Sequence, residues 1–96
     1  MKMLMIVCPE GRQEEIRTLM ENHGVHGYSE LNQVIGEGKT GKKLGTPAWP
    51  EKSCLIFSVL ETQQQNELVK SLKAYQANLL PGEGMRAFML PAESIV

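Results

Sequence analysis

The residues best suited to chemistry lie in one glycine- and lysine-rich stretch. Gly36-Glu37-Gly38-Lys39-Thr40-Gly41-Lys42 meets the first seven positions of a phosphate-binding loop. In such a loop glycines let backbone N–H groups approach an anion and a lysine attracts it. The eighth position should be Ser or Thr, to hold magnesium, and here it is Lys43. Such a loop must also open a helix, whereas this one runs into Leu44-Gly45-Thr46-Pro47. A P-loop nucleoside-triphosphatase is therefore rejected. What survives is a segment able to receive phosphate, weighed against a plain solvated hairpin tip.

Gly82-Glu83-Gly84-Met85-Arg86 is a second glycine-rich turn followed by a cation. Alone it is only a turn, but set across a subunit boundary from the first segment it would complete an anion site. His23 and His26 have HxxH spacing yet straddle Gly24 and lack an obvious third ligand, so they are weak metal candidates and read better as surface histidines. Cys8 and Cys54 form no CxxC pair; they fall on segments expected to be neighbouring strands and read as inert core thiols. Glu14 and Glu15 are adjacent, so on a helix they diverge and make no acid/base pair. No Ser-His-Asp or Cys-His arrangement is visible. Trp49, between Ala48 and Pro50, is a large aromatic in a loop, which suggests docking against this chain or a partner.

The elements that must position these groups follow from apolar periodicity. Lys2 to Cys8 is a continuous apolar run ending at Pro9, expected to be a central strand buried on both faces. A helix follows, with Glu14 and Glu15 in its first turn, a stripe of Ile16, Leu19 and Met20, and Gly24 as its stop. Tyr28 to Ile35 reads as a weaker strand with an exposed face or edge. Residues 36–52 hold four glycines, two prolines and four lysines, a loop long enough to be functional or disordered. Ser53 to Leu60 is the clearest strand and is expected in the centre of the sheet. Thr62 and Gln65 suggest a capping box. Leu68, Val69, Leu72, Tyr75 and Leu79 mark a second amphipathic helix, ended by Leu80-Pro81-Gly82-Glu83-Gly84, and Met85 to Leu90 is the last strand. The order is βαββαβ, the α+β ferredoxin-like arrangement, in which the first and third strands lie side by side in mid-sheet.

Composition bounds the rest. The 96 residues suffice for one domain, and 42% hydrophobic content places the chain among globular proteins. A core this small makes self-association a reasonable source of further burial. The net charge of -1 gives no footprint for nucleic acid. No apolar run is long enough to span a bilayer, and the start is too short for a signal peptide, so cytoplasm is the expected compartment.

The order of these segments resembles the PII signalling proteins and their PII-like relatives over nearly the whole chain. Met1 to Pro9 resembles the family's first strand. Val34-Ile35-Gly36-Glu37-Gly38 resembles the glycine pair that leads into its T-loop, and Gly82-Glu83-Gly84 with Phe88 to Glu93 resembles its B-loop and following strand. Gly45-Thr46-Pro47-Ala48-Trp49-Pro50 is similar to a Gly-Thr-x-x-Trp-Pro stretch of a divergent subgroup.

The resemblance implies a single domain over 1–96 with a flexible T-loop at about 37–52, working as a homotrimer with clefts between subunits. It implies a small-molecule effector (AMP, ADP or ATP, or another anion) held near Gly36, Gly38, Lys39, Thr40, Gly82, Gly84 and Arg86, and no required cofactor. It further implies a target protein, such as a membrane transporter, met by a loop carrying Lys42, Lys43 and Trp49. The departures are Thr40 where the family has Gln, Gly41 where it has Lys, and Met85 with Arg86 displaced by one after the B-loop. These put magnesium-ATP in question. The runner-up reading is a metal-responsive protein of the same fold. A small ferredoxin-fold enzyme such as an acylphosphatase would use Arg12, but its other requirements are unmet.

Overall fold

Strand β1 (Lys2–Pro9) shows how the sheet is dressed. Leu4, Ile6 and Cys8 are fully covered, while Met3, Met5 and Val7 between them are half-buried. Side chains alternate across a strand, so only one face of this central strand is buried within the chain, not both as its unbroken apolar run suggests.

The computed structural model describes residues 1–39 and 41–96. After β1 come a 3₁₀ turn (Glu10–Arg12), α1 (Gln13–Asn22), β2 (Ser29–Val34), a ribbon of β3 (Gly36–Gly38) and β4 (Gly41–Lys43), β5 (Ser53–Leu60), α2 (Gln65–Ala77) and β6 (Arg86–Pro91). The main sheet has the order β2-β5-β1-β6, with every neighbouring pair antiparallel. This is the ferredoxin-like α+β arrangement, with the two most apolar strands in the middle.

Ile16 and Met20 of α1, and Leu68 and Leu72 of α2, pack with Leu4, Ile6, Cys8, Cys54, Ile56 and Leu60 into one core. Cys8 lies directly opposite Cys54. Burial drives their thiols up to about 12 and about 11 respectively, which keeps them protonated and unreactive.

Local details correct some sequence expectations. The capping box is one residue earlier than Thr62/Gln65: Glu61 caps a 3₁₀ turn (Thr62–Gln64) and Gln64 reciprocates to the Glu61 N–H at 3.2 Å. Leu79 lies beyond the end of α2, and the last strand starts at Arg86 because Met85 is a buried plug before it. Gly24 does end α1. The Val25 N–H reaches the Met20 carbonyl and the Gly24 N–H the Glu21 carbonyl, both at 3.0 Å, in a Schellman closure. Gly24 has φ +79 there.

Pro9 decides where the sheet opens. The Glu10 N–H donates to the Lys52 carbonyl and the Ala92 N–H to the Met1 carbonyl, continuing the two ladders of β1. That parity turns the even-numbered β1 amides toward β5 and the odd-numbered ones toward β6. The β1–β6 pairing ends at Val7↔Arg86. Carried one repeat further, the register would set Gly84 against Pro9, which has no N–H to give. The sheet therefore splits at this end.

The edge strand β2 carries an irregularity between Leu31 and Val34. Within it Gln33 adopts φ 58, and its N–H donates to the Glu10 carboxylate at 2.7 Å. The bend sends the chain out of the sheet into the β3–β4 ribbon. Nearby, Glu30 accepts from Arg17 Nε (3.0 Å), Arg17 Nη2 (2.9 Å) and Gln13 Nε2 (2.6 Å), joining β2 to α1.

Two tests follow from these contacts. An added Cβ at Gly24 meets no atom within 4 Å, so Gly24→Ala isolates backbone strain; it is expected to cost about 1–2 kcal/mol in urea denaturation. Gly11→Ala, at an equally open site without positive φ, should cost far less. The Arg17 guanidinium holds the Glu30 carboxyl below its ordinary range. Its stabilisation is therefore complete above the usual carboxylate pKa of about 4.3 and is lost as pH falls through the lower folded value. Arg17→Met should lower the melting temperature at neutral pH and flatten its decline between about pH 5 and 3. Parallel wild-type and variant profiles would count against this.

Candidate functional site

The split at Pro9 opens into a cleft of about 630 Å³, within the range of roughly 300–1,000 Å³ usual for small-molecule sites. Val7 and Pro9 supply one wall, and Val34 to Lys39 a second. Gly41, Lys43 and Ser53 close one side, and Gln76, Leu79 and Glu83 to Arg86 the other. Four strand ends and the end of α2 thus meet at one end of the sheet.

The glycine-lysine segment does not open a helix. It forms an antiparallel ribbon with Gly36 opposite Lys43, Glu37 opposite Lys42 and Gly38 opposite Gly41. Of the expected ligand residues, Gly36, Gly38, Lys39, Gly84 and Arg86 line the cleft. Gly82 is not on its wall, but its carbonyl accepts from Lys43 Nζ at 3.2 Å. Thr40 lies outside the described residues. The two glycine turns, expected to meet across a subunit boundary, already share this cleft within one chain.

The turn around Gly82 and Gly84 is held from both sides. Arg12 donates from Nε and Nη2 to the two carboxylate oxygens of Glu83, each at 2.9 Å, a bidentate fork. The Leu80 N–H donates to Glu83 Oε1 at 2.9 Å. Arg12 Nη1 also reaches Glu15 at 3.0 Å, and the Tyr75 hydroxyl donates to that same carboxylate. Arg12 keeps the Glu83 carboxyl below its ordinary range, and burial with the Glu15 contact lifts the Tyr75 hydroxyl to about 12. With its guanidinium so occupied, Arg12 is a brace and not the phosphate-receiving arginine of an acylphosphatase. Behind the turn, Gln76 Nε2 donates to the Met85 carbonyl.

The chemical character of the cleft follows. Val7, Pro9, Val34, Ile35, Leu79 and Met85 give it apolar surface, while Lys39, Lys43 and Arg86 bring positive charge. Of its two acids, Glu83 is satisfied by Arg12, and Glu37 sits 3.9 Å from Lys42. The arrangement suits a ligand with one flat apolar part and one anionic part. Sequence reasoning missed the apolar wall, Pro9 and the inward turn of Lys43. The absent N–H of Pro9 at a strand end was the available signal.

The remaining expected residues lie apart from the cleft wall. Lys42 is exposed, with its ammonium 5.3 Å from the centre of the Trp49 ring. Trp49 closes a tight hairpin in which Thr46 and Trp49 exchange both backbone hydrogen bonds at 3.0 Å. His23 Nε2 is 2.7 Å from Ser71 Oγ, linking the end of α1 to α2, while His26 is exposed. Among the described residues no three His, Cys, Asp or Glu side chains converge, and no helix is long and apolar enough to cross a membrane.

Solved structures share this fold. CPII, a nitrogen regulatory PII-like protein from Thiomonas intermedia K12, bound to ADP, AMP and bicarbonate, superposes with a TM-score of 0.76 at 17% identity, over 93% of this chain and 88% of that one. The apo form of CPII gives 0.66 at 15% identity, over 93% and 87%. A protein from Thermus thermophilus assigned as PII-like signaling gives 0.66 at 12% identity, over 92% and 82%. No curated protein matches the chain. The family model for Nitrogen regulatory protein P-II spans residues 1–96, so the chain belongs to the nitrogen regulatory protein P-II family of signalling proteins.

Proposed function

We propose that this chain is a homotrimeric cytoplasmic sensor. It binds an adenine nucleotide or another anion in the cleft at the Pro9 end of the sheet and acts on a target protein through the segment over about 37–52. It serves as a regulator and not an enzyme. The observation that carries the reading is the meeting of both glycine turns with Lys39, Lys43 and Arg86 around an apolar wall. An adenine ring suits that wall, and phosphates suit the ammonium, guanidinium and glycine backbone groups. CPII, with the same fold, carries ADP, AMP and bicarbonate, which supports ligands of this class.

Self-association is supported by the uncovered face of the sheet. Opposite the helices lie Met3, Met5 and Val7, with Leu55, Phe57 and Val59 registered against them on one side and Phe88 and Leu90 on the other. Val59 is 50% exposed, Phe88 49% and Leu90 41%. A contiguous apolar face of this kind marks an interface. Val7 and Arg86 belong both to this face and to the cleft, so a copy covering the face reaches the margin of the ligand site.

Calorimetry with ADP, AMP, ATP and bicarbonate is expected to show saturable binding of at least one nucleotide. Arg86→Gln should weaken it about tenfold, the usual worth of one charge-assisted hydrogen bond. Binding of none of the four would remove the ligand reading. Phe57→Lys should convert the trimer to a folded monomer in sedimentation, since Phe57 projects from the centre of the uncovered face. A wild-type monomer at tens of micromolar would remove the assembly.

A further inference from the structure

Lys43 ends β4, and its side chain is turned inward, only 14% exposed. Its ammonium donates to the Gly82 carbonyl at 3.2 Å and pairs with the Glu51 carboxylate, and the residue lines the cleft. Glu51 stands on the return arm of the Trp49 hairpin, where its carbonyl accepts from the Gly45 N–H at 3.2 Å. One ammonium therefore touches the second glycine turn, the ligand cleft and the hairpin.

These partners are unequal. The Glu51 side chain is 65% exposed, so water screens its pairing with Lys43 and holds it weakly. A phosphate placed in the cleft would offer more negative charge in a less hydrated position, against an ammonium whose three donors can be redirected on a flexible stem. We propose that Lys43 is the coupling residue of this protein: an anionic group in the cleft draws its ammonium from Glu51 and so releases the hairpin carrying Trp49. The inference rests on the ligand reading above and adds to it a residue and a sign. Linkage makes the effect reciprocal, so any partner that holds Glu51 against Lys43 weakens anion binding by the same factor.

Trp49 is the only tryptophan, and the Lys42 ammonium stacked on it makes its emission a reporter of the hairpin. With ADP as probe, wild-type emission is expected to move on saturation. Glu51→Gln, at an exposed position that leaves the core untouched, should bind ADP about two- to fivefold more tightly, as expected for loss of a screened surface pair. Its ligand-free emission should already resemble that of the ADP-saturated wild type. Lys43→Gln should bind ADP more weakly and show no movement of Trp49 emission once saturated. If Glu51→Gln binds ADP with wild-type or lower affinity, the coupling through Lys43 is overturned while nucleotide binding stands. If wild-type protein takes up none of ADP, AMP, ATP and bicarbonate in calorimetry, both fall.

Discussion

A proline at the end of a central strand sets the geometry of this molecule. Pro9 has no N–H to offer where the β1–β6 ladder would next require one, so pairing stops at Val7↔Arg86. Gly84, carried by its turn, is left free of a strand partner at that point. Beyond the split the chain ends gather: the ribbon leaves β2, β5 begins at Ser53, and the 80–85 turn enters β6.

An opening of this kind needs rigid rims, and these are electrostatic. Arg12 grips both oxygens of Glu83 and spans from the end of β1 to the second glycine turn, while Glu15 and Tyr75 extend that network onto both helices. On the opposite rim, Glu10 receives the amide of Gln33 in its left-handed conformation and its own N–H binds the Lys52 carbonyl. Acidic and basic side chains that look scattered in the sequence thus become braces for backbone carrying few side-chain contacts of its own. The lysines differ from the arginines in use. Arg12 and Arg17 make planar forks that fix geometry, whereas Lys39, Lys42 and Lys43 are point charges on flexible stems at the cleft and its hairpin.

The sheet has two unlike faces. The helix-covered face is closed by Ile16, Met20, Leu68 and Leu72 and contains both cysteines, whose raised pKa values make them packing groups. The other face is apolar and open, and it borders the cleft at Val7 and Arg86. The uncovered apolar face and the cleft are therefore physically adjacent in this fold.

Composition and periodicity by themselves determined the order of the two helices and the four strands of the main sheet, though not the β3–β4 ribbon, because apolar spacing is a local property that survives without neighbours and the ribbon has none. They determined that Lys2–Cys8 and Ser53–Leu60 lie at the centre, and that Gly24 ends α1 where only glycine takes positive φ without strain. They also singled out both glycine turns. What they could not determine depends on register and on contacts between distant residues. The unbroken apolar run of β1 looks the same whether its second face is covered by helices or by another copy. The pairing of Arg12 with Glu83 joins residues 71 positions apart. Lys43 reads as a lysine of the partner-facing loop until the ribbon places it opposite Gly36 and turns it toward Gly82 and Glu51. Local chemistry thus named most of the groups, and only the tertiary register could decide which of them face one another.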